Sequence, residues 1–343
     1  MNKSSNNKLK LSILDIATIQ KGNTVSQTLQ ESTELAQLAD SLGYTRYWFA
    51  EHHNTVNQAS TSPDLMSAHV AAHTKKIRIG SGGIMLPNHS PLKVVENFSL
   101  LEALHPGRID LGIGRAPGTD GMTAFALRRS REAVTSYDFP TQLNEMLAFF
   151  SQSFPSNHPF SKITPTADTS LIPDIYMLGS SDGGMRFASD KGLGFAFAAH
   201  ISPHLAIPML QAYQQNFKPS IYMKKPKSIL SIIVITAETD EEAEYLAGPV
   251  ELYWTRLSTG SRIFSFATPE EASKHVYSPA EKAAREDNKS RFVIGNVKKV
   301  AEKLRSLAEV AKVDEIMLVE FYPEKAARFK AYQLLADEFQ LCF

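Results

Sequence analysis

Short apolar runs recur along this chain. Almost every one is followed by a stretch in which apolar positions return at every third or fourth residue. The first run, LSILDI at 11–16, precedes a helical pattern over 26–42, where Leu29, Leu35, Leu38 and Ala39 share a face and Gly43 supplies a stop. Further runs fall at 46–50, 77–84, 108–112, 174–178, 195–199, 229–236 and 315–319. Helical patterns cover 63–73, 91–104, 141–151, 182–191, 204–217 and 297–311, with a last helix ending near 339 and a long charged helical region over 240–290. The spacing predicts eight strands, each with a helix after it. Such alternation implies parallel pairing through crossover helices. An open doubly wound sheet would give the same pattern. Eight units without a dinucleotide fingerprint favour an α/β fold closed as a (β/α)8 TIM barrel. No repeat or low-complexity linker divides the chain, so a single domain over 1–343 is expected, with insertions at about 115–138, 153–172 and 250–290.

Composition narrows the function classes. Lys plus Arg and Asp plus Glu both number 36, so no electrostatic footprint points to nucleic acid or to an anionic membrane. A small molecule or another copy of the chain is the expected partner. The single cysteine, Cys342, excludes an internal disulfide and a cysteine metal cluster and suits a cytoplasmic setting. Residues 1–10 lack the apolar core of a signal peptide, and the densest apolar run, 229–235, is too short to span a bilayer.

In a barrel of this kind the chemistry lies just after each strand. After the second strand come Glu51, His52 and His53. Histidine titrates near neutrality and suits proton transfer, and strand alternation predicts that one of the two imidazoles faces the mouth while the other is a capping or core residue. The third strand carries Gly82 and Gly83, which mark either a bend or close approach of a ligand. After the fourth come Gly112, Gly114 and Arg115, a glycine-flanked guanidinium suited to an anion or to a surface ion pair. After the fifth, Gly179, Ser180 and Ser181 open a helix, as a phosphate cradle, a helix cap, or both. His200 follows the sixth strand, with a substrate-side or a structural role. His69 and His73 stand four apart on a predicted outer helix, but Val70, Ala71 and Ala72 between them supply no carboxylate, so a metal site is not expected. Rossmann and P-loop fingerprints are absent from the sequence.

Four segments, YWFAEHHN at 47–54, IRIGSGGIMLPN at 77–88, LEALHPGRIDLGIGRAPGTD at 101–120 and the glycine-rich fifth and sixth strand ends, resemble the bacterial-luciferase-like flavin-dependent monooxygenases, as does the C-terminal VKKVAEKLRSLAEVAKVDEIMLV. The similarity runs in order over nearly the whole chain. It implies reduced FMN as co-substrate with oxygen, a separate flavin reductase, a homodimer formed through helices early in the barrel, and a small organic substrate. His52 matches the catalytic histidine, and Glu51 matches a carboxylate near the flavin. Gly82 and Gly83 match a segment that often holds a non-proline cis peptide against the ring. Arg115, Gly179, Ser180 and Ser181 match the phosphate site. The insertion at 250–290 is a candidate lid.

The bioluminescent members carry a reactive cysteine where this chain has Gly114, so light emission is not expected. Two other functions fit the same resemblance. One is hydride transfer with a deazaflavin coenzyme of the F420 type. The other is flavin binding without turnover, against which the retention of both His52 and Arg115 argues.

Overall fold

Apolar segments, most of them buried along nearly their whole length, form nine strands, all in parallel register: β1 (Lys10–Asp15), β2 (Arg46–Phe49), β3 (Arg78–Met85), β4 (Ile109–Gly114), β5 (Asp174–Gly179), β6 (Gly194–Ala198), β7 (Ser228–Ala237), β8 (Phe292–Asn296) and β9 (Glu315–Val319). The computed structural model describes residues 9–135, 138–261 and 265–342. β1 to β7 pair in sequence order, and β9 closes the ring by pairing with both β7 and β1. The result is the expected eight-stranded parallel barrel.

One strand was not expected. β7 is buried along ten residues, and its two halves have different partners: 229–233 pairs with β9, and 233–237 pairs with β8. β8 therefore lies outside the closed ring, as an extension of the C-terminal half of β7. Its sequence, FVIGN, is short and only alternately buried, and it sits between Arg291 and Lys298. A five-residue run with one buried face gives little signal beside charged helices.

The helices are α1 (Val25–Leu42), α2 (Pro63–His73), α3 (Pro91–Leu104), α4 (Gly121–Arg128), α5 (Arg131–Thr135), α6 (Phe139–Ser151), α7 (Asp182–Lys191), α8 (Pro203–Asn216), α9 (Asp240–Ser258), α10 (Pro269–Ser273), α11 (Pro279–Asn288), α12 (Val297–Ala311) and α13 (Lys325–Phe339). α1 begins at a reciprocal capping box between Thr24 and Gln27 and ends at Gly43, whose φ of 88° is the left-handed conformation glycine adopts without penalty. Of the three insertions, the first holds the short helices α4 and α5, with 136–137 outside the described residues. The second contains neither helix nor strand. The third begins later than its sequence suggested, because α9 continues to Ser258 before α10 and α11. No helix among the described residues is long and apolar enough to cross a membrane.

The N-terminal end of the barrel interior is closed by charge. Arg46 donates to Asp110 at 2.6 Å and to both oxygens of Glu315 at 2.6 and 3.0 Å. Trp48 Nε1 and the Arg78 guanidinium complete the shell of Asp110 at 2.9 and 2.6 Å. A buried ion pair stabilises little by itself, but it fixes geometry, because losing one partner leaves the other charged in a low dielectric. This floor closes the C-terminal half of the barrel interior from below.

Candidate active site

A cavity occupies that C-terminal half, with an empty volume of about 1010 Å³ including the open mouth. Every strand of the closed ring contributes to its wall, from Leu14 on β1 through Ser231 on β7 to Met317 on β9. Its surface is mainly apolar, with a few convergent polar groups, the usual composition of a small-molecule site.

Strand alternation sorts the residues after β2. Trp48, Ala50 and His52 face the cavity, whereas Glu51 and His53 do not line it. Burial pushes the His52 imidazole below its ordinary pKa, against the opposing pull of Gln58 and of the Glu51 charge, and so favours its neutral form. Its Nδ1 is buried without a hydrogen-bond partner.

Glu51, matched by resemblance to a carboxylate near the flavin, sits behind the cavity wall and is fully buried. It accepts from His53 Nε2 at 2.8 Å, from His89 Nε2 at 2.9 Å and from the Met85 amide at 2.8 Å. Burial works to raise its pKa. The His89, His53 and Met85 donors outweigh that and hold it below the ordinary carboxylate value. His89 is correspondingly raised: burial lowers it, but Glu51 prevails. Glu51 thus ties the end of β2 to the end of β3, where Met85 joins the cavity wall.

The Gly82–Gly83 peptide is cis, as the resemblance implied. Gly82 lines the cavity. Gly83 packs against β4 instead, where a Cβ would meet the Gly112 carbonyl oxygen at 2.5 Å.

Across the cavity, β5 ends in Gly179, Ser180 and Ser181, all on the wall. Ser181 is the N-cap of α7, yet no side chain caps that helix, so its first amides keep their hydrogen-bonding capacity. The guanidinium of Arg115 lies over the first turn: a Cβ built on Gly183 would stand 2.5 Å from its Nη1. Arg115 is exposed, and no carboxylate pairs with it among the described residues. An unpaired cation beside uncapped amides is an arrangement chemically suited to an anion.

His200 completes the polar set. Its Nδ1 lies 3.2 Å from the Ser231 carbonyl oxygen. A carbonyl only accepts, so Nδ1 carries the proton and the neutral ring presents an unprotonated Nε2. Burial pushes His200 down to about 4, with Arg291 and His52 adding to the effect and Ser231 opposing it. His69 and His73, with ring centroids 4.4 Å apart, remain on the outside of the barrel, and no cluster among the described residues could hold a metal ion.

Residues 9–314 match the sequence model of the luciferase-like monooxygenases. The chain belongs to that family. It is 35% identical to a luciferase-like monooxygenase of Escherichia coli K12, covering 96% of each chain. It is 34% identical to the N-acetyl-S-alkylcysteine monooxygenase of Bacillus subtilis 168, covering 96% of this chain and 98% of that one. Among solved structures, apo-MsnO8 superposes with a TM-score of 0.84 at 33% identity, covering 98% and 99%. More distant barrels share the fold. The FMN complex of the oxygenating constituent of 3,6-diketocamphane monooxygenase from Pseudomonas putida has a TM-score of 0.71 at 18% identity, covering 97% and 98%. An F420-dependent secondary alcohol dehydrogenase has a TM-score of 0.66 at 14%, covering 98% of each chain.

The structure thus brings together His52, Gly82, Arg115, Gly179, Ser180, Ser181 and His200, and leaves Glu51 and Gly83 one layer behind. Sequence reasoning did not single out Trp48, Met85 or Ser231. The first shares the strand parity of His52, and Ser231 is the lone polar residue in the apolar run 229–235, so both carried a signal. Met85 carried none.

Proposed function

We propose that this chain is the oxygenating component of a two-component monooxygenase, taking reduced FMN from a separate reductase and oxidising a small, mainly apolar organic molecule with oxygen. The observation that carries this reading is the pairing of Arg115 with the uncapped N-terminus of α7 at one end of an apolar cavity that has His52 at the other. A cation beside free helix amides, joined to an apolar chamber, fits a flavin mononucleotide. Arg115, Ser180, Ser181 and the first amides of α7 would hold the phosphate. The bare backbone at Gly82 would leave room for the ring, since a Cβ there would come within 2.5 Å of Leu14 and 3.2 Å of Trp48. His52, on the cavity wall and with its pKa lowered by burial, fits a group that works through proton exchange. When bound, reduced FMN supplies the electrons that activate oxygen. In this reading one oxygen atom enters the substrate and the other leaves as water.

The protein's own groups do the rest. Leu14, Trp48, Met177 and Met317 keep water from the inner wall. His52 moves protons at the reacting end. The unprotonated Nε2 of His200 offers an acceptor to a donor-bearing substrate. Glu51 holds Met85 and His53 in place. The reductase requirement is supported by the lack of a nicotinamide fingerprint in the sequence. A homodimer is supported by Leu65 on α2 and Leu100 and Leu104 on α3, each more than half exposed.

The test is to bind reduced FMN or a reduced F420-type deazaflavin without oxygen, then admit ¹⁸O₂ over a panel of thioethers and ketones. Tight binding of reduced FMN and one ¹⁸O in a product supports the proposal. Binding only of the deazaflavin would assign hydride transfer, and binding of FMN with no product across the panel and no effect of His52→Ala on flavin oxidation would assign a carrier.

A further inference from the structure

Three buried polar side-chain atoms have no hydrogen-bond partner: Nδ1 of His52 on the cavity wall, and Gln58 Oε1 and Thr18 Oγ1 on the loops after β2 and β1. They come from two loops that are joined. Thr18 and Gln58 face each other in an isolated antiparallel bridge between the segment after β1 and the segment after β2. Flanking bonds hold it on both sides, Ile19 N to Asn57 O at 2.7 Å and Ala59 N to Ala17 O at 2.9 Å. Residues directly opposite in such a bridge have neighbouring Cβ atoms. The Gln58 side chain is near enough to the His52 imidazole to oppose the effect of burial on it, although no hydrogen bond joins the two in this structure.

The chemistry of the three atoms selects one arrangement. Oε1 of an amide only accepts. Nδ1 of a neutral imidazole either donates or accepts, and a threonine hydroxyl can donate. A buried polar atom left unpaired carries its full desolvation penalty. With the Gln58 amide oriented as it stands, Oε1 towards the ring, a proton on Nδ1 lets Gln58 relieve both His52 and itself, and the second lone pair of Oε1 is then free for the Thr18 hydroxyl.

We propose that Gln58, braced by Thr18, is the positioning residue of His52: its Oε1 accepts from Nδ1–H, fixes that tautomer, and leaves Nε2 as the unprotonated nitrogen toward the cavity. The inference rests on His52 being the proton-handling residue of the site. It makes His52 a base in the resting protein. A bound X–H passes its proton to Nε2, the bonding pair stays on X, and the imidazolium keeps Nδ1–H on Gln58 until the proton returns. The ionisable neighbours divide. Glu51 favours the charged ring, and His53 opposes it. His200 is coupled to His52 through the same cavity and stays neutral above about pH 4. Gln58 therefore sets which nitrogen titrates while the carboxylate sets how readily.

The test reads the tautomer directly in the flavin-free protein. With ¹⁵N-histidine labelling, the two ring nitrogens of His52, assigned through His52→Gln, report which one is protonated at pH 8. The expected result is a protonated Nδ1 in the wild type, a shift towards the Nε2–H tautomer in Gln58→Leu, and a smaller shift of the same sign in Thr18→Val. Gln58→Glu places a carboxylate on the same nitrogen and is expected to raise the imidazole pKa by about 1 or more. The remaining histidines, unchanged, show that each variant is folded. A wild-type Nε2–H tautomer, or one that Gln58→Leu leaves untouched, overturns the proposal. Since no flavin is present, that failure leaves the FMN reading standing, and loss of FMN binding would leave the tautomer result standing.

Discussion

Glu51 and His52 are chain neighbours with opposite environments, because successive residues of an extended segment point to opposite sides. That rule made a choice between His52 and His53 legible in the sequence but not its outcome. The choice is settled by Glu51, which captures His53 at 2.8 Å and leaves His52 for the cavity. The partners of Glu51, His89 above all, lie 38 positions away, and no local pattern announces them. His200 shows what burial does to one residue. Its pKa falls from 6.5 to about 4. Because the folded value is depressed for a base, the unfolded chain takes up a proton between those values and the folded one does not. Stability is therefore lost as pH falls through that window. By pH 5 the loss is about 2 kcal/mol. Denaturant titrations at pH 7.5 and pH 5 are expected to show a smaller acid-induced loss for His200→Gln, by roughly that amount. An unchanged loss would mean that His200 is solvated in the folded protein.

At the scale of elements, the proposed phosphate site depends on how closely α7 packs on β5. A Cβ on Gly184 would stand 2.9 Å from Gly179 Cα and 3.0 Å from the Leu178 carbonyl oxygen, contacts with backbone that cannot rotate away. Gly184→Ala is expected to push the helix off the strand, destabilising the protein by about 1–3 kcal/mol and weakening FMN binding. Calorimetric unfolding and a flavin titration check both effects, and a variant with wild-type values in both would show that the contact is not limiting. The glycine pair at 183–184 stands plainly in the sequence, directly after the Gly179–Ser181 turn. Its reason does not, since close approach of helix and strand is a tertiary property. β8 escaped notice for a related cause: its pairing partner is the upper half of a strand already assigned to the ring, and its own five residues bury one face only.

For the whole molecule, the alternation of strands and helices was enough to predict a closed barrel, because eight crossover units with no dinucleotide fingerprint have few other solutions. What divides the barrel into a sealed half and an open half was hidden. Arg46, Asp110 and Glu315 meet from strands far apart in sequence, and only closure of the ring brings them together. In the proposed function, that floor, the apolar wall above it and Arg115 with the α7 N-terminus on its rim together form the chamber for a phosphorylated flavin. The most direct test compares FMN with riboflavin on the wild type and Arg115→Met by fluorescence titration. Loss of the guanidinium is expected to weaken FMN by about 10- to 100-fold, the loss of one charge-assisted contact, while riboflavin binding stays unchanged. Equal weakening of both ligands, or none, would contradict the placement of the phosphate at Arg115 and α7.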